Sequence, residues 1–254
     1  MMVKDRRTKI LLSLLLLGKD LSYVNFDSKL QKIFDLSLNQ KTRGTLSGMI
    51  KEGLIEKSQI TNPKLQNGEN VNQYKLTDKG LSILDLTFPY FRFLRDKWDG
   101  KWRIISYEIP EAKRELRDRL RREMQGWGLG PWHRSFWLTP HPIIANLKDL
   151  VFGREEEKYI QAFESDHIFG DRNVLIEKVW AKSELDKKYR LVFKKWHEIL
   201  SKDGDKTDKF MQIIEFYLDV LREDPGLPKE LVGEKWIGFE AFDIFQEIKS
   251  ILLT

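Results

Sequence analysis

The sequence contains no cysteine, which excludes disulfide scaffolds, zinc ribbons, iron–sulfur centres and thiol catalysis. Four scattered histidines leave little for a metal centre. The main apolar run, residues 10–17, falls far short of the ~20 residues that span a bilayer. Basic residues precede it, as in a secretory signal, but no small-residue cleavage site follows. We therefore expect a buried first helix, no membrane partner and a cytoplasmic protein.

The signatures of several enzyme classes are also missing. The sequence has no G-x-x-x-x-G-K-[ST], G-x-G-x-x-G, H-E-x-x-H or G-x-S-x-G motif. The composition, 41% hydrophobic and 33% charged, is that of a globular chain, and 254 residues suit two or three domains. We expect no enzymatic activity, no cofactor and no metal.

Charge is unevenly distributed along the chain. Residues 1–87 hold 14 Lys and Arg against 9 Asp and Glu, and residues 88–140 hold 12 against 7. Residues 141–254 reverse the balance, with 18 basic against 23 acidic residues. The basic N-terminal half is therefore the part expected to meet a polyanion.

Residues 1–87 have the element order of a winged helix-turn-helix domain. Apolar periodicity, caps and Gly53 predict helices over residues 9–17, 28–36 and 40–52. Strand-like runs at 54–60 and 72–76 flank a turn-rich stretch, and a short helix follows Thr77. This order predicts a DNA-binding domain.

The third helix separates into two faces when plotted at 100° per residue. Thr42, Leu46, Met49 and Ile50 form the core face. The opposite face carries two glycines, Gly44 and Gly48, that cost a helix ~1 kcal/mol each relative to alanine. Close approach to double-stranded DNA would explain them, and packing against another protein element is the alternative. The residues predicted to contact DNA are Gln40, Lys41, Arg43, Gly44, Ser47 and Lys51 in the helix, with Lys57, Lys64 and Lys75 in the wing.

Residues 98–181 are predicted to form a ferredoxin-like α/β sandwich. A strand at 103–109 precedes a basic helix that runs to about Gln125, and a second strand covers 135–139. A helix at 143–152 and strands at 159–163 and 174–179 complete the pattern. We expect Glu115–Arg119 and Asp118–Arg122 pairs to balance the arginines of the basic helix.

Residues 182–254 are predicted to be helical, with helices over 183–200, 209–222 and 239–253. Their apolar stripes are typical of a core or a dimer contact, so this domain is assigned to dimerisation or effector binding. The predicted fold class is α+β, with three domains in the order given.

Several motifs resemble those of the PaaX family of bacterial transcriptional repressors. The most specific block is Trp98-Asp99-Gly100-Lys101-Trp102, followed by Ile109-Pro110-Glu111 and the stretch from Trp137 to Pro140. The resemblance extends to Thr42-Arg43-Gly44-Thr45-Leu46-Ser47, Tyr74-Lys75-Leu76-Thr77, Val179-Trp180 and Asp224-Pro225-Gly226-Leu227-Pro228. It implies a homodimeric regulator that binds palindromic operator DNA and is released by a small, acyl-coenzyme A-type effector. No effector-binding residue is identified in this chain, and Gly48 stands where an arginine is usual in the family.

The middle block also resembles the ferredoxin-like nuclease subunit of CRISPR adaptation. That resemblance implies a divalent metal held by a carboxylate at the end of the first strand, where this chain has Glu108. The position carries glutamate instead of the expected aspartate, and no second carboxylate lies near it in the motif. Metal-dependent nuclease activity through Glu108 is the alternative function.

Overall fold

The protein is a mixed helix-and-sheet molecule. We describe a computed structural model, which defines residues 5–18, 22–61, 70–94 and 97–253. The chain divides into two compact units. The first contains Met1–Leu84, Lys195–Leu218 and Ile244–Thr254, and the second contains Asp85–Lys194 and Asp219–Asp243.

The first unit begins with three helices, as predicted. They are α1 (Arg6–Leu17), α2 (Ser28–Phe34) and α3 (Gln40–Lys51). The side chains of Asp5, Asp27 and Asn39 cap their N-termini by accepting backbone N–H groups that have no partner within the helix. Residues 10–16 are buried, which confirms that the apolar run forms a buried first helix.

A small antiparallel sheet completes the N-terminal part of this unit. It has the order β1-β3-β2, with β1 (Val24–Asn25), β2 (Ile55–Thr61) and β3 (Asn70–Leu76). Strands β2 and β3 are the predicted hairpin, whereas β1 was not predicted. Helix α4 (Asp78–Thr87) follows.

The second unit contains a four-stranded antiparallel sheet of order β5-β6-β4-β7. Its elements follow one another as β4 (Lys101–Tyr107), α5 (Arg114–Gly126), β5 (Gly130–His133), β6 (Phe136–Thr139), α6 (Ile144–Val151) and β7 (Ile160–Asp166). This is the βαββαβ arrangement of a ferredoxin-like unit. Helices α5 and α6 cover one face of the sheet, where Ile105, Leu120 and Leu147 share a core.

The strand predicted over residues 174–179 is wrong, because these residues lie in helix α7 (Arg172–Trp180). Asp171 caps the helix by accepting the backbone N–H groups of Asn173 and Val174. Ile176 and Val179, one helical turn apart, are buried with Trp102 and Leu138 on the second face of the sheet. Capping and helical burial therefore outweigh the β-branched composition of the segment.

The predicted C-terminal helices are present as α8 (Lys182–Leu200), α9 (Lys206–Glu223) and α11 (Ile237–Leu253), with an additional short α10 (Lys229–Val232). Residues 195–218 and 244–254 are part of the first unit, where Trp196, Tyr217 and Phe245 form an aromatic cluster. Among the described helices, none is long and apolar enough to cross a membrane.

Candidate nucleic-acid interface

Helix α3 presents the two faces that its sequence predicts. Thr42, Leu46 and Met49 are buried, whereas Ile50 is only half-buried. The Asn39 side chain accepts the Thr42 backbone N–H at 3.0 Å and fixes the start of the helix. The exposed residues on the opposite face are Gln40, Lys41, Arg43, Gly44, Ser47 and Lys51. These residues, together with half-buried Gly48, lie on one accessible surface, which we call the α3 surface.

The glycines of the α3 surface have no packing role within the described chain. A Cβ atom built on Gly44 or Gly48 meets no atom within 4 Å. By contrast, a Cβ on Gly80 would lie 2.1 Å from the carbonyl oxygen of Leu54, so that glycine is required by a close backbone approach. Because a helical glycine costs ~1 kcal/mol, an external partner is the better explanation for Gly44 and Gly48.

The basic side chains of the α3 surface also have no acidic partner among the described residues. Among the described residues, Lys41, Arg43 and Lys51 have no side-chain hydrogen bond or ion pair. The nearest acidic group in sequence, Glu52, is bound by Arg7. The hydrogen bonds from Arg7 lower the pKa of the Glu52 carboxyl. The sequence alone did not reveal this pairing, which balances the Glu52 carboxylate directly after α3.

The two described wing lysines lie on opposite faces of the hairpin. Lys57 is opposite Tyr74 in the ladder, and Lys75 is opposite Glu56. Because neighbouring residues of a strand point to opposite faces, Lys57 shares the face of Ile55 and Leu76, which pack on the helices. Lys57 is exposed and Lys75 is half-buried beside an acidic neighbour. Lys57 is therefore the better placed candidate, and Lys64 lies outside the described residues.

The arginines of α5 are paired differently from the expectation. Arg119 binds the buried carboxylate of Glu156, and Arg117 binds Glu111 at 2.6 Å. Arg114 lies 3.4 Å from Asp118. The predicted Glu115–Arg119 and Asp118–Arg122 pairs are absent from the described structure, so that prediction was wrong. Most of this helix's positive charge is nevertheless balanced within the chain, unlike that of the α3 surface.

Glu108, the candidate metal ligand, lies directly after β4 and is exposed. Its backbone N–H donates to the carbonyl oxygen of Tyr159 at 3.0 Å. No group of three or more His, Asp or Glu residues that could hold a metal ion occurs within the described part of the chain. Glu108 therefore stands alone within one copy.

The proline-rich segment 224–228 connects α9 to α10 and is buried in the second unit. Asp224 accepts hydrogen bonds from the Tyr189 hydroxyl and the Gly226 backbone N–H, at 2.7 and 2.8 Å. Burial of the Asp224 carboxyl raises its pKa to about 6, against the opposing effect of these hydrogen bonds. A Cβ on Gly226 would lie 2.0 Å from the Pro89 carbonyl oxygen. This segment is therefore required for packing and does not form an open ligand site.

His141 is a second buried titratable group in this unit. Burial lowers the pKa of its imidazole well below the ordinary value, and the positive charges of Arg92 and Arg103 act in the same direction. Arg103 is itself buried and is held by Asp99 and Glu164. His141 and both arginines lie in the interior of the second unit and are distant from the α3 surface in sequence.

Comparison with known proteins gives two family-model matches. The model for the PaaX protein central Cas2-like domain matches residues 95–175, and the model for the PaaX-like protein C-terminal domain matches residues 180–254. The transcriptional repressor PaaX of Escherichia coli strain K12 is 24% identical over 230 residues, which are 84% of this chain and 70% of that protein. The nuclease interpretation of Glu108 is not favoured by these matches.

One solved structure is similar over almost its full length. It is the uncharacterized protein Rv0674 from Mycobacterium tuberculosis, which aligns with a TM-score of 0.53 at 17% identity. The alignment covers 96% of this chain and 94% of the other. At this identity the likeness concerns the fold alone.

Proposed function

Because this chain belongs to the PaaX family, we propose that it is a transcriptional repressor that binds operator DNA through the α3 surface. The observation that carries this proposal is the combination of Gly44 and Gly48, which have open space beside them, with Lys41 and Arg43, which lack an acidic partner among the described residues. A helix with this surface can approach the floor and walls of a duplex groove.

The chemistry of the α3 surface fits the major groove. This groove is wide enough to admit an α-helix, and arginine and glutamine are among the side chains that read base edges there. Gln40 and Arg43 supply such groups, while Lys41 and Lys51 suit phosphates. The absence of side chains at Gly44 and Gly48 lets the helix backbone come closer to the DNA than an ordinary helix would.

We assign the hairpin of β2 and β3 to the wing of a winged helix-turn-helix, in which α2 and α3 form the helix-turn-helix. Lys57 would contact a phosphate, and Lys64 is proposed to do the same from its place between the two strands. Lys75 is the weakest of the proposed contacts because Glu56 lies opposite it in the ladder.

The regulator is proposed to act as a homodimer on palindromic operators, with the two α3 surfaces in successive major grooves about 34 Å apart. A small effector would release the DNA by changing this separation. Residues 98–181 and 182–254 are proposed to dimerise, to couple and to hold the effector. No catalytic step is proposed for Glu108.

The test begins by selecting genomic fragments that bind the purified protein and measuring their affinity by fluorescence anisotropy. Lys41→Ala and Arg43→Ala should each weaken binding about 5- to 150-fold, the range for a lost contact of about 1–3 kcal/mol. Arg122→Ala is the matched control, because Arg122 is exposed and lies on α5. Equal losses in all three variants would move the DNA surface to α5 and contradict the proposal.

A further inference from the structure

The two edges of the four-stranded sheet differ in how they are protected. Edge strand β5 has four residues, contains Pro131 and is irregular between Pro131 and His133. Proline and irregular pairing are devices that stop an edge from pairing with another strand. The opposite edge, β7, has seven residues in regular register with β4 and contains neither proline nor glycine.

The outward hydrogen-bonding groups of β7 can be assigned from the ladder. The Glu108 N–H donates to the Tyr159 carbonyl oxygen, so residues 159, 161, 163 and 165 direct their backbone groups towards β4. Ile160, Ala162 and Glu164 then direct their N–H and C=O groups away from the sheet. Among the described residues, the Ile160 N–H donates to the Glu157 carbonyl oxygen, whereas the Ile160 carbonyl oxygen and the outward groups of Ala162 and Glu164 have no hydrogen-bond partner.

Exposed apolar side chains accompany this open edge. Phe163 lies on the sheet face opposite α5 and α6, next to Ile104 across the ladder, and is 53% exposed. Ile168 and Phe169 follow the strand and are 87% and 97% exposed. Apolar surface concentrated at one place is typical of a protein–protein contact.

We propose that β7 pairs antiparallel with β7 of a second copy, about a two-fold axis at Phe163. In this register Ala162 lies opposite Glu164, and their open N–H and C=O groups face each other at the centre of the interface. Ile160 lies opposite Asp166, where the open Ile160 carbonyl oxygen can accept the Asp166 N–H, and no two carboxylates are opposite each other. Glu164 is also neutralised by Arg103, 3.1 Å away. A register centred on Glu164 would place two glutamates in contact.

This self-complementarity selects a second copy as the partner. A two-fold interface requires one surface to match itself, and the β7 sequence does so in the Phe163-centred register. Phe163 then faces Phe163 of the second copy at a non-hydrogen-bonded position, where side chains approach most closely. The inference rests on the proposed function in one respect, since it supplies the two-fold symmetry that a palindromic operator demands.

Single cysteines test the register directly, because the chain has no cysteine of its own. Phe163→Cys places two thiols at a site with about 4.5 Å between Cα atoms, within the disulfide range. It should oxidise to a covalent dimer at least tenfold faster than Phe152→Cys, a control at an exposed phenylalanine outside β7. Gln161→Cys and Ser165→Cys should each cross-link slowly alone and rapidly when mixed, since these positions face each other only between copies.

Phe163→Arg gives an independent measurement, because two arginines would oppose each other at the axis. Sedimentation should show a dissociation constant raised at least tenfold relative to Phe152→Arg. Cross-linking at Phe163→Cys no faster than the control, or a dimer unaffected by Phe163→Arg, would overturn the β7 interface. DNA binding that survives such a result would leave the regulator proposal standing. Rapid cross-linking without DNA binding would contradict the regulator proposal alone.

Discussion

At the scale of single residues, the α3 surface is notable for side chains that are missing. Gly44 lies inside a helix with open space where a side chain would extend. The residue reduces helix stability without improving packing inside the described chain. Such a position is explained if a partner, and not the fold, sets its size limit.

Gly44→Ala should therefore separate stability from binding. The variant should unfold in urea with a free energy up to about 1 kcal/mol higher, because alanine is the better helix former. Its operator affinity should fall at least fivefold, because a methyl group would stand between the helix and the groove. Gly126→Ala, also in a helix with open space, is the control that should leave DNA affinity unchanged. Unchanged affinity in Gly44→Ala would argue against close approach at this position.

At the scale of elements, caps and periodicity predicted α3 and the hairpin well because their signals are local. Asn39, the apolar spacing and Gly53 define α3 within the segment itself. The α7 segment was misassigned because its β-branched residues favour a strand, whereas Asp171 and burial on the sheet determine a helix.

Contacts distant in sequence could not be predicted. Arg119 pairs with Glu156, 37 positions away, and not with Glu115 on its own helix. The faces of Lys57 and Lys75 depend on the hairpin register, which the turn-rich stretch between the strands does not fix in advance. The candidate helix surface could be identified from the sequence, whereas the placement of Lys57 and Lys75 on opposite faces of the hairpin could not.

Asp224, directly after α9, gives a prediction of pH-dependent stability. The Asp224 carboxyl has a pKa of about 6 in the folded protein against 3.8 in the unfolded chain. The unfolded chain releases this proton first, so raising the pH from 4 to 6 destabilises the fold at this residue. The loss should reach roughly 3 kcal/mol above pH 6, since each pKa unit corresponds to about 1.4 kcal/mol.

Asp224→Asn removes this titration. The free energy of unfolding of the parent protein minus that of the variant should fall as the pH rises from 4 to 6 and then level off. His141, whose burial favours its neutral form and acts in the opposite direction, is present in both proteins, so its titration enters both measurements. A difference that does not change with pH, measured by chemical denaturation, would contradict a buried, titrating Asp224.

At the scale of the whole molecule, the number of copies on the operator can be read from salt dependence. Each phosphate neutralised by a lysine contributes about 0.9 to the slope of log affinity against log salt concentration. Lys41→Ala should therefore lower the slope by about 1.8 if two copies bind one operator, and by about 0.9 if one copy binds. Anisotropy titrations between 50 and 200 mM salt, roughly the useful range for such contacts, measure this. An unchanged slope would exclude Lys41 as a phosphate contact.

The first unit is assembled from distant parts of the chain, which affects how the proposed DNA-binding part can be prepared. Lys249 donates its ammonium hydrogens to the carbonyl oxygens of Leu16 and Gly18, and Lys29 donates to that of Leu253. Lys32 forms an ion pair with Asp208 at 2.7 Å. A fragment cut after residue 87 would lose these tethers together with the aromatic cluster around Trp196. A stable fragment for the proposed DNA-binding part therefore needs the C-terminal segments of the first unit as well, because deleting them removes contacts that hold the N-terminal helices.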